Sequence, residues 1–293
     1  MKIIHLPHAK IDKTHWDNLI LSAYNGTVYG LSWFLDLLSP QWDALVSADY
    51  QFTMPIPVKR KFGLPYVVQH SYTQQLGVFG QVKVETNILH QFIKKIPYTS
   101  YQLGLNHDNF HPKAIHRTNY VLPLQSSYEV LRKGYSTNTI RNIKKAKNQG
   151  ISIKESIVTD DFFAFHNSVC KRYKTVDFRP LELLIKEGVS KGIFKIKAAV
   201  NLKGDVVAAL CYAVFKDRMY YLFPISNEEG KAHAAMFAIV DHLIAQASGK
   251  AMLFDFEGSS VPGIARFFQG FGAQNQAFYV IKRLRPSFLI GRI

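Results

Sequence analysis

Cysteine is scarce in this chain. Only two of the 293 residues, Cys170 and Cys211, are cysteines, and both have apolar neighbours in the sequence. Two isolated cysteines supply neither the framework of bridges typical of small secreted domains nor a thiolate-rich zinc site. The pattern predicts two small, buried, reduced side chains in a protein of a reducing compartment.

Long apolar segments are also missing. The N-terminus, MKIIHLPHAKIDKTHW, lacks an apolar core of signal-peptide length. No stretch approaches the roughly 18 continuous apolar residues of a membrane-spanning helix. These absences predict a soluble, cytoplasmic protein without a transmembrane segment.

Several familiar site motifs do not occur. The sequence has no Gly-x-Ser-x-Gly elbow, no phosphate-binding Walker loop and no dinucleotide fingerprint. The histidines of HDNFHPKAIH, residues 107–116, do not have the spacing of a standard metal site. We therefore expect no metal and none of the chemistries that depend on these motifs.

Acidic residues are missing from two parts of a chain whose net charge is +15. No acid follows Glu257, and none lies between residues 132 and 154, where seven cations occur: Arg132, Lys133, Arg141, Lys144, Lys145, Lys147 and Lys154. Clustered positive charge favours an anionic partner, either a phosphate-bearing small molecule, a nucleotide, RNA or a membrane surface. The alternative is a solvated basic face that only keeps the protein soluble.

The chain contains a faint internal repeat. Its first half begins with three strand-like runs, WDALVSADY, QFTMPIPVKRK and LPYVVQHS. A helix-like segment at 85–96, a strand at 98–105 and a closing strand at 119–124 follow. The second half has the same order. Its three strand-like runs are FKIKAAVNL, DVVAALCYAVF and RMYYLFPIS, its helix-like segment is 231–247, and its last two strands are 250–257 and 276–284. We predict an α/β protein with two copies of one mixed-sheet module, in domains 1–125 and 151–293.

The segment between the modules, 126–150, is predicted to be a basic helical linker. Ser136 is a candidate N-cap, and Ile140, Ile143 and Ala146 form an apolar stripe at helical spacing. Three cations, Arg141, Lys144 and Lys145, fall on the opposite side. We expect them to contact an anion in a cleft between the domains.

Three stretches carry a family resemblance that extends over nearly the whole chain. They are STNTIRNIKKA at 136–146, DFEGS at 255–259 and FGA at 271–273. Together with the repeated module they resemble the FemAB/FemX-like branch of the GNAT acyltransferase superfamily. The resemblance implies tandem GNAT-like domains, an acyltransferase that moves an acyl or aminoacyl group to an amine, and a role in modifying cell-envelope precursors. It implies acyl-CoA or aminoacyl-tRNA as the donor substrate, and no tightly bound cofactor.

One stretch departs from the GNAT pattern. The turn after RMYYLFPIS should carry glycines that approach a pyrophosphate, but it reads SNEEGKAHAAM, with one glycine and two acids. Acids at a helix start disfavour a phosphate there. A second hypothesis therefore stays open, in which the scaffold binds nucleotide or RNA without catalysis.

The end of the strand LFDFEGSS carries the catalytic candidates. Asp255 and Glu257 lie two residues apart, so a continuous strand would place both carboxylates on one face. There they could bind the acceptor ammonium or accept its proton. Ser259 is a substrate-binding candidate. The structural alternative is that Asp255 or Ser259 only caps the helix VPGIARFF.

Other polar side chains complete the predicted site. Gln74 and Gln75 follow the third strand of the first module and suit a sugar, amide or peptide. Tyr212 and Tyr220 lie on the central strands of the second module. Either tyrosine could protonate a leaving group, although aromatic residues are also ordinary strand formers.

Overall fold

The computed structural model describes residues 1–171, 177–258, 261–286, 288 and 290. The strands are β1 (Ile3–Leu6), β2 (Trp42–Ser47), β3 (Phe52–Lys61), β4 (Leu64–Val68), β5 (Phe79–Gly80), β6 (Tyr101–Leu105), β7 (Ile115–Arg117), β8 (Tyr120–Pro123), β9 (Ser152–Lys154), β10 (Phe194–Val200), β11 (Val206–Phe215), β12 (Arg218–Ser226), β13 (Leu253–Asp255), β14 (Gln274–Asn275) and β15 (Phe278–Arg283).

The helices are α1 (Lys13–Ser22), α2 (Ser32–Leu38), α3 (Thr86–Lys95), α4 (Tyr128–Lys133), α5 (Thr137–Asn148), α6 (Thr159–Cys170), α7 (Arg179–Ser190), α8 (Glu228–Ala232), α9 (Ala235–Ala247) and α10 (Pro262–Gln269). Within the described residues, no helix has the length and apolar character needed to cross a bilayer.

The chain forms two compact units. Unit 1 contains residues 1–117 together with 277–293, and unit 2 contains residues 118–276. Unit 2 is thus inserted in the sequence of unit 1. These limits differ from the predicted domains, 1–125 and 151–293, because the closing strands and the segment 126–150 pair and pack in ways that sequence order does not reveal.

Unit 1 is built on one mixed sheet with the strand order β1-β2-β3-β4-β6-β15-β7, and β5 pairs with β3. Its named strands pair antiparallel except β4 and β6, which run parallel through Val67↔Tyr101 and Val68↔Gln102. The core forms where Leu89 and Phe92 of α3 are buried with sheet residues such as Met54. Apolar positions three apart on α3 and alternate positions on the strands therefore produce one shared core.

Unit 2 has a sheet of the same kind, with the strand order β14-β8-β13-β12-β11-β10-β9. Its parallel pair is β12 with β13. Helix α9 buries Ile239, Leu243 and Ile244 in a cluster that includes Leu210 of β11. Strand β11 is buried along nearly its whole length, as its uninterrupted apolar sequence predicts for a central strand covered on both faces.

The repeated order of three strands, a helix and a strand is confirmed, but the closing strands are exchanged. Strand β8 was predicted to close the first module, and it pairs antiparallel with β13 of unit 2. Strand β15 was predicted to close the second, and it pairs antiparallel with β6 of unit 1. Both edges accept an antiparallel strand of similar length, so the local sequence pattern does not specify which edge a strand joins.

The segment 126–150 is an integral part of unit 2. Leu131 belongs to its core cluster, Ala146 is fully buried, and α5 packs against α9. The Ser136 hydroxyl accepts the N–H of Thr139 at 3.2 Å, so the predicted N-cap is confirmed. The predicted apolar stripe is partly wrong, because Thr139 is buried whereas Ile140 is 39% exposed.

Candidate active site

Strands β12 and β13 separate soon after they begin to pair. Their parallel register has three residue pairs and ends at Tyr220↔Asp255. Strand β12 continues to Ser226 alongside β11, whereas β13 stops at Asp255. The carboxyl ends of parallel strands are where α/β proteins commonly bind ligands.

A β-bulge lies beside this separation. Tyr212 pairs with Tyr221 and Cys211 pairs with Phe223, so Leu222 stands opposite no residue of β11. Burial also decreases here: Tyr221 is buried, Leu222 and Phe223 are half-buried, and Pro224 is exposed. Bulges redirect the backbone and are frequent next to active sites. The second half of β12 is therefore redirected by the bulge and is more exposed than the first half.

Asp255 is the centre of a buried polar network. Its side chain is fully buried and accepts hydrogen bonds from Arg218 Nη1 at 2.6 Å and from Asn119 Nδ2 at 2.9 Å. Arg218 also donates to Gln276 Oε1 at 3.2 Å. Burial is the largest influence on Arg218 and opposes its ionised form, but Asp255, Tyr220 and Asp217 together outweigh burial, so the pKa of Arg218 is raised.

This network has a structural consequence for unit 2. Asn119 and Gln276 lie at the two ends of the unit, and Gln276 N–H also donates to Asn119 O at 2.8 Å. Asp255 and Arg218 therefore hold both ends of the inserted segment against the sheet. The arrangement favours a positioning role for Asp255, because its carboxylate is already used by internal partners.

Glu257 occupies a different environment. It lies two residues beyond the end of β13, has a left-handed φ of 65°, and is half-buried. Its N–H donates to Asp255 Oδ1 at 2.9 Å, and its carbonyl accepts from Tyr120 at 3.3 Å. Because the strand ends at Asp255, the alternation that was expected to place both carboxylates on one face does not extend to Glu257. The structure brings the two residues together through this turn.

The structure tests one half of the capping alternative, the part that concerns Asp255. Helix α10 has Val261 at its N-cap, with no side-chain capping hydrogen bond. Asp255 therefore does not cap α10. Ser259 lies outside the described residues.

The turn that follows β12 is acidic. Asn227 caps the short helix α8 by accepting Gly230 N–H at 2.8 Å, and the first turn contains Glu228 and Glu229. Glu228 bonds to Lys231 at 2.8 Å, and Glu229 accepts from Asn201 at 3.1 Å. Two carboxylates at a helix start repel a phosphate.

The two candidate tyrosines have different surroundings. Tyr220 is 2% exposed and stands at the last paired position of β12, opposite Asp255. Tyr212 lines a separate cavity with residues of β10 and α9. Burial and the nearby Glu155 carboxylate raise the pKa of Tyr212 to about 12, so its hydroxyl stays neutral near pH 7. Tyr220 therefore stands at the last pair of the β12–β13 ladder, whereas Tyr212 stands at the bulge of β11 with β12 and lines the cavity.

The three predicted cations of α5 belong to unit 2 and are exposed. Arg141 Nη2 donates to Asn138 Oδ1 at 2.7 Å, within the same helix. Lys144 and Lys145 lie on solvent-facing positions of α5. This helix face combines positive charge with accessibility, as an anion-binding surface requires.

The two predicted glutamines belong to unit 1. Gln75 is buried and its Nε2 donates to Gln74 Oε1 at 2.7 Å. The Gln74 carbonyl accepts the side chain of Gln69, whose own Oε1 accepts Gly104 N–H, both at 2.8 Å. These bonds attach the segment around residues 69–76 to β6.

Sequence reasoning missed Arg218, Asn119 and Gln276. Arg218 offered one signal, since a charged residue beginning an otherwise apolar strand needs a partner when that strand is buried. Asn119 and Gln276 offered none, because they are distant in sequence from Asp255. Among the described residues, no group of three or more histidine, cysteine or acidic side chains is arranged to hold a metal ion.

Comparisons with known proteins give a structural match only. No family model and no curated protein matches the sequence. FemX matches with a TM-score of 0.71 and 12% identity over 99% of both chains. L-PGS from Bacillus licheniformis matches with a TM-score of 0.60 and 10% identity over 94% of this chain and 93% of that one. The predicted fold is confirmed: the protein has a FemX-like fold made of two tandem GNAT-like α/β domains.

Proposed function

We propose that the protein is an acyltransferase that moves an acyl or aminoacyl group to an amine. We place the reaction in unit 2, where β12 and β13 separate. The observation that carries the proposal is the coincidence of three features at this point: the three-pair parallel ladder, the bulge at Leu222 and the carboxylate of Glu257 just beyond the ladder.

The reaction needs one proton acceptor and one electrophile. A neutral amine attacks the acyl carbonyl carbon, and a C–N bond forms as the C–O bond of an ester donor or the C–S bond of a thioester breaks. Glu257 accepts the proton that the amine loses and returns it to the leaving oxygen or sulfur, so charge and atoms balance. Backbone N–H groups at the bulge of β12 would stabilise the developing oxyanion.

The charge distribution suggests where the donor's phosphates bind. Glu228 and Glu229 occupy the helix start after β12, so phosphates are disfavoured there. Arg141, Lys144 and Lys145 offer an exposed cationic face on α5 of the same unit. We propose that this face contacts the phosphates of the donor, which favours aminoacyl-tRNA over acyl-CoA. A cytoplasmic location and an amine-bearing envelope precursor as acceptor are further parts of the proposal.

The test compares donors in the same assay. Purified protein is incubated with aminoacyl-tRNA or acyl-CoA carrying a labelled acyl group, together with amine acceptors that include precursor peptides. We expect labelled amide product, and we expect Glu257→Gln to lower the rate by about 10²–10⁴-fold. Glu228→Gln, which removes another acid of unit 2, is the matched control and should keep full turnover. Absence of amide product with every donor would contradict the proposal that the protein is an acyltransferase.

A second candidate function is binding of nucleotide or RNA without catalysis. The observation that favours it is the acidic start of α8, which lacks the glycine-rich phosphate turn of acyl-CoA enzymes. This hypothesis predicts salt-dependent RNA binding by wild-type protein and by Glu257→Gln alike, with no transfer by either protein.

A further inference from the structure

Unit 2 contains a cavity of about 340 Å³ whose lining residues include neither Asp255 nor Glu257. It lies along the first half of β10, where the register with β9 has ended at Ala198↔Lys154. Its walls come from four elements and from the segment after β9: Glu155, Ser156, Ile157, Val189, Lys195, Ile196, Lys197, Tyr212 and Gln246.

One carboxylate in the wall receives contacts from several groups at once. Glu155 forms an ion pair with Lys197, and its Oε2 also accepts Gln246 Nε2 at 3.0 Å. His242 Nε2 lies 3.0 Å from its Oε1. Lys197 comes from β10, whereas His242 and Gln246 are one turn apart on α9. A strand and a helix thus build a receptor for a single carboxylate.

The two partners of the ion pair differ strongly in exposure. The side chain of Lys197 is 6% exposed, whereas that of Glu155 is 64% exposed. A buried ammonium needs a compensating anion, because an unpaired charge in the interior is costly. Glu155 supplies that anion from a segment outside the named strands and helices. Another carboxylate could therefore replace it while Lys197, His242 and Gln246 stay in place.

The cavity wall defines what such a ligand should look like. Two lysines and one acid give the wall a positive balance, and Ile157, Val189 and Ile196 add apolar surface. The volume leaves room for an aliphatic body beside the carboxylate. The neutral Tyr212 hydroxyl and Gln246 are available as further hydrogen-bonding groups.

We propose that this cavity binds a small monocarboxylate with a short aliphatic body, and that the ligand's carboxylate displaces Glu155 from Lys197. Glu155 then acts as a built-in competitor that occupies the receptor when the ligand is absent. The inference does not depend on the proposed acyl transfer, because none of the residues that line the cavity has a role in that reaction.

The probe for this proposal is butyrate, with butyramide as its uncharged analogue, titrated calorimetrically into the full chain. We expect saturable binding of butyrate by wild-type protein and none of butyramide. Glu155→Ala removes the competitor and should strengthen butyrate binding about tenfold or more, since one charge-assisted bond no longer has to be exchanged. Butyrate should also raise the melting temperature of Glu155→Ala more than that of wild-type protein.

Two further variants test the receptor. Lys197→Met should abolish butyrate binding, whereas Lys191→Met, an exposed lysine paired with Glu187 on the neighbouring helix, should leave it unchanged. If Lys197→Met does not fold, Gln246→Leu should weaken butyrate binding in its place. Failure of both wild-type protein and Glu155→Ala to bind butyrate would overturn the proposal. Equal binding of butyramide, or tighter binding of inorganic phosphate, would overturn its assignment to a carboxylate.

Discussion

Units 1 and 2 share a ladder of strands but differ at the point where the parallel pair ends. In unit 1, β6 continues beyond the last pair, Val68↔Gln102, and meets the returning chain: Leu76 N–H donates to Gly104 O, and Asn106 N–H donates to Leu76 O, both at 2.9 Å. In unit 2, β12 is the strand that continues, with a bulge and decreasing burial. The topology is the same in both units. In unit 1 the segment around Leu76 pairs with β6 beyond the parallel pair. In unit 2 the strand that continues, β12, becomes more exposed.

Buried asparagines hold the filling segment of unit 1 in place. Asn109 accepts Val78 N–H at 2.6 Å and donates to Val78 O at 3.0 Å, and Asn25 donates to Val78 O at 3.0 Å. These side chains satisfy backbone groups that have no strand partner at that position. The local partners of the strands, and not the topology, therefore make the two units differ at the end of the parallel pair.

The largest expected effect tests whether chemistry is confined to unit 2. Glu257→Gln should lower transfer by about 10²–10⁴-fold, because it removes the proposed proton acceptor while keeping the side chain's shape. The measurement is single-turnover transfer, with the melting temperature recorded in parallel. Undiminished turnover in this variant would remove the difference in function that we assign to the two units.

The next effect concerns the buried ion pair between Arg218 and Asp255 in unit 2. Among the described residues, unit 1 has no counterpart at the end of its parallel pair. Asp255→Asn should lower the free energy of unfolding by about 3–5 kcal/mol, because Arg218 keeps a buried charge without its carboxylate. Urea denaturation measures the change, and the exposed Asp161→Asn serves as the control. A loss below about 1 kcal/mol would show that solvent reaches Arg218 and that the network does not hold unit 2 together.

A smaller effect is expected in unit 1. Asn109→Ala leaves both backbone groups of Val78 without this partner and should cost about 1–3 kcal/mol of stability. Transfer activity should be retained under folding conditions, since the reaction is placed in unit 2. The exposed Asn87→Ala is the matched control. A loss of turnover in folded Asn109→Ala would move part of the site to unit 1.

The smallest effect concerns the cationic face of α5. Arg141→Ala combined with Lys145→Ala should weaken binding of the phosphate-bearing donor about tenfold or more, and it should reduce the dependence of binding on salt. Stability should barely change, because both side chains are exposed. The exposed pair Lys94→Ala and Lys95→Ala on α3 of unit 1 is the control. Equal binding by both double variants would leave α5 as a solvated basic face.

Much of the fold was predictable because each module repeats its own local signals. The apolar runs predicted β10, β11 and β12, and the helical spacing predicted α3 and α9 close to their observed limits. The exchange of β8 and β15 was not predictable. It depends on pairing between residues more than a hundred positions apart, and alternation within a strand carries no information about which distant edge the strand joins.

The site was only partly predictable for a related reason. The sequence drew attention to Asp255 and Glu257, and the structure places both at the strand separation. Their separate environments depend on Arg218 and Asn119, which approach Asp255 only through the folded sheet. The same holds for Tyr212, which lines a cavity with Lys197 and Gln246 from other elements.

The insertion of unit 2 between β7 and β15 has a consequence for synthesis on the ribosome. All strands of unit 2 have been made by residue 276, whereas β6 still lacks β15, which ends at Arg283. An open strand edge is a template for pairing with other chains. The ribosome therefore begins unit 1 first and completes it last. The edge of β6 that pairs with β15 stays without that partner while about 170 residues are translated. This takes roughly 10–30 s at common elongation rates.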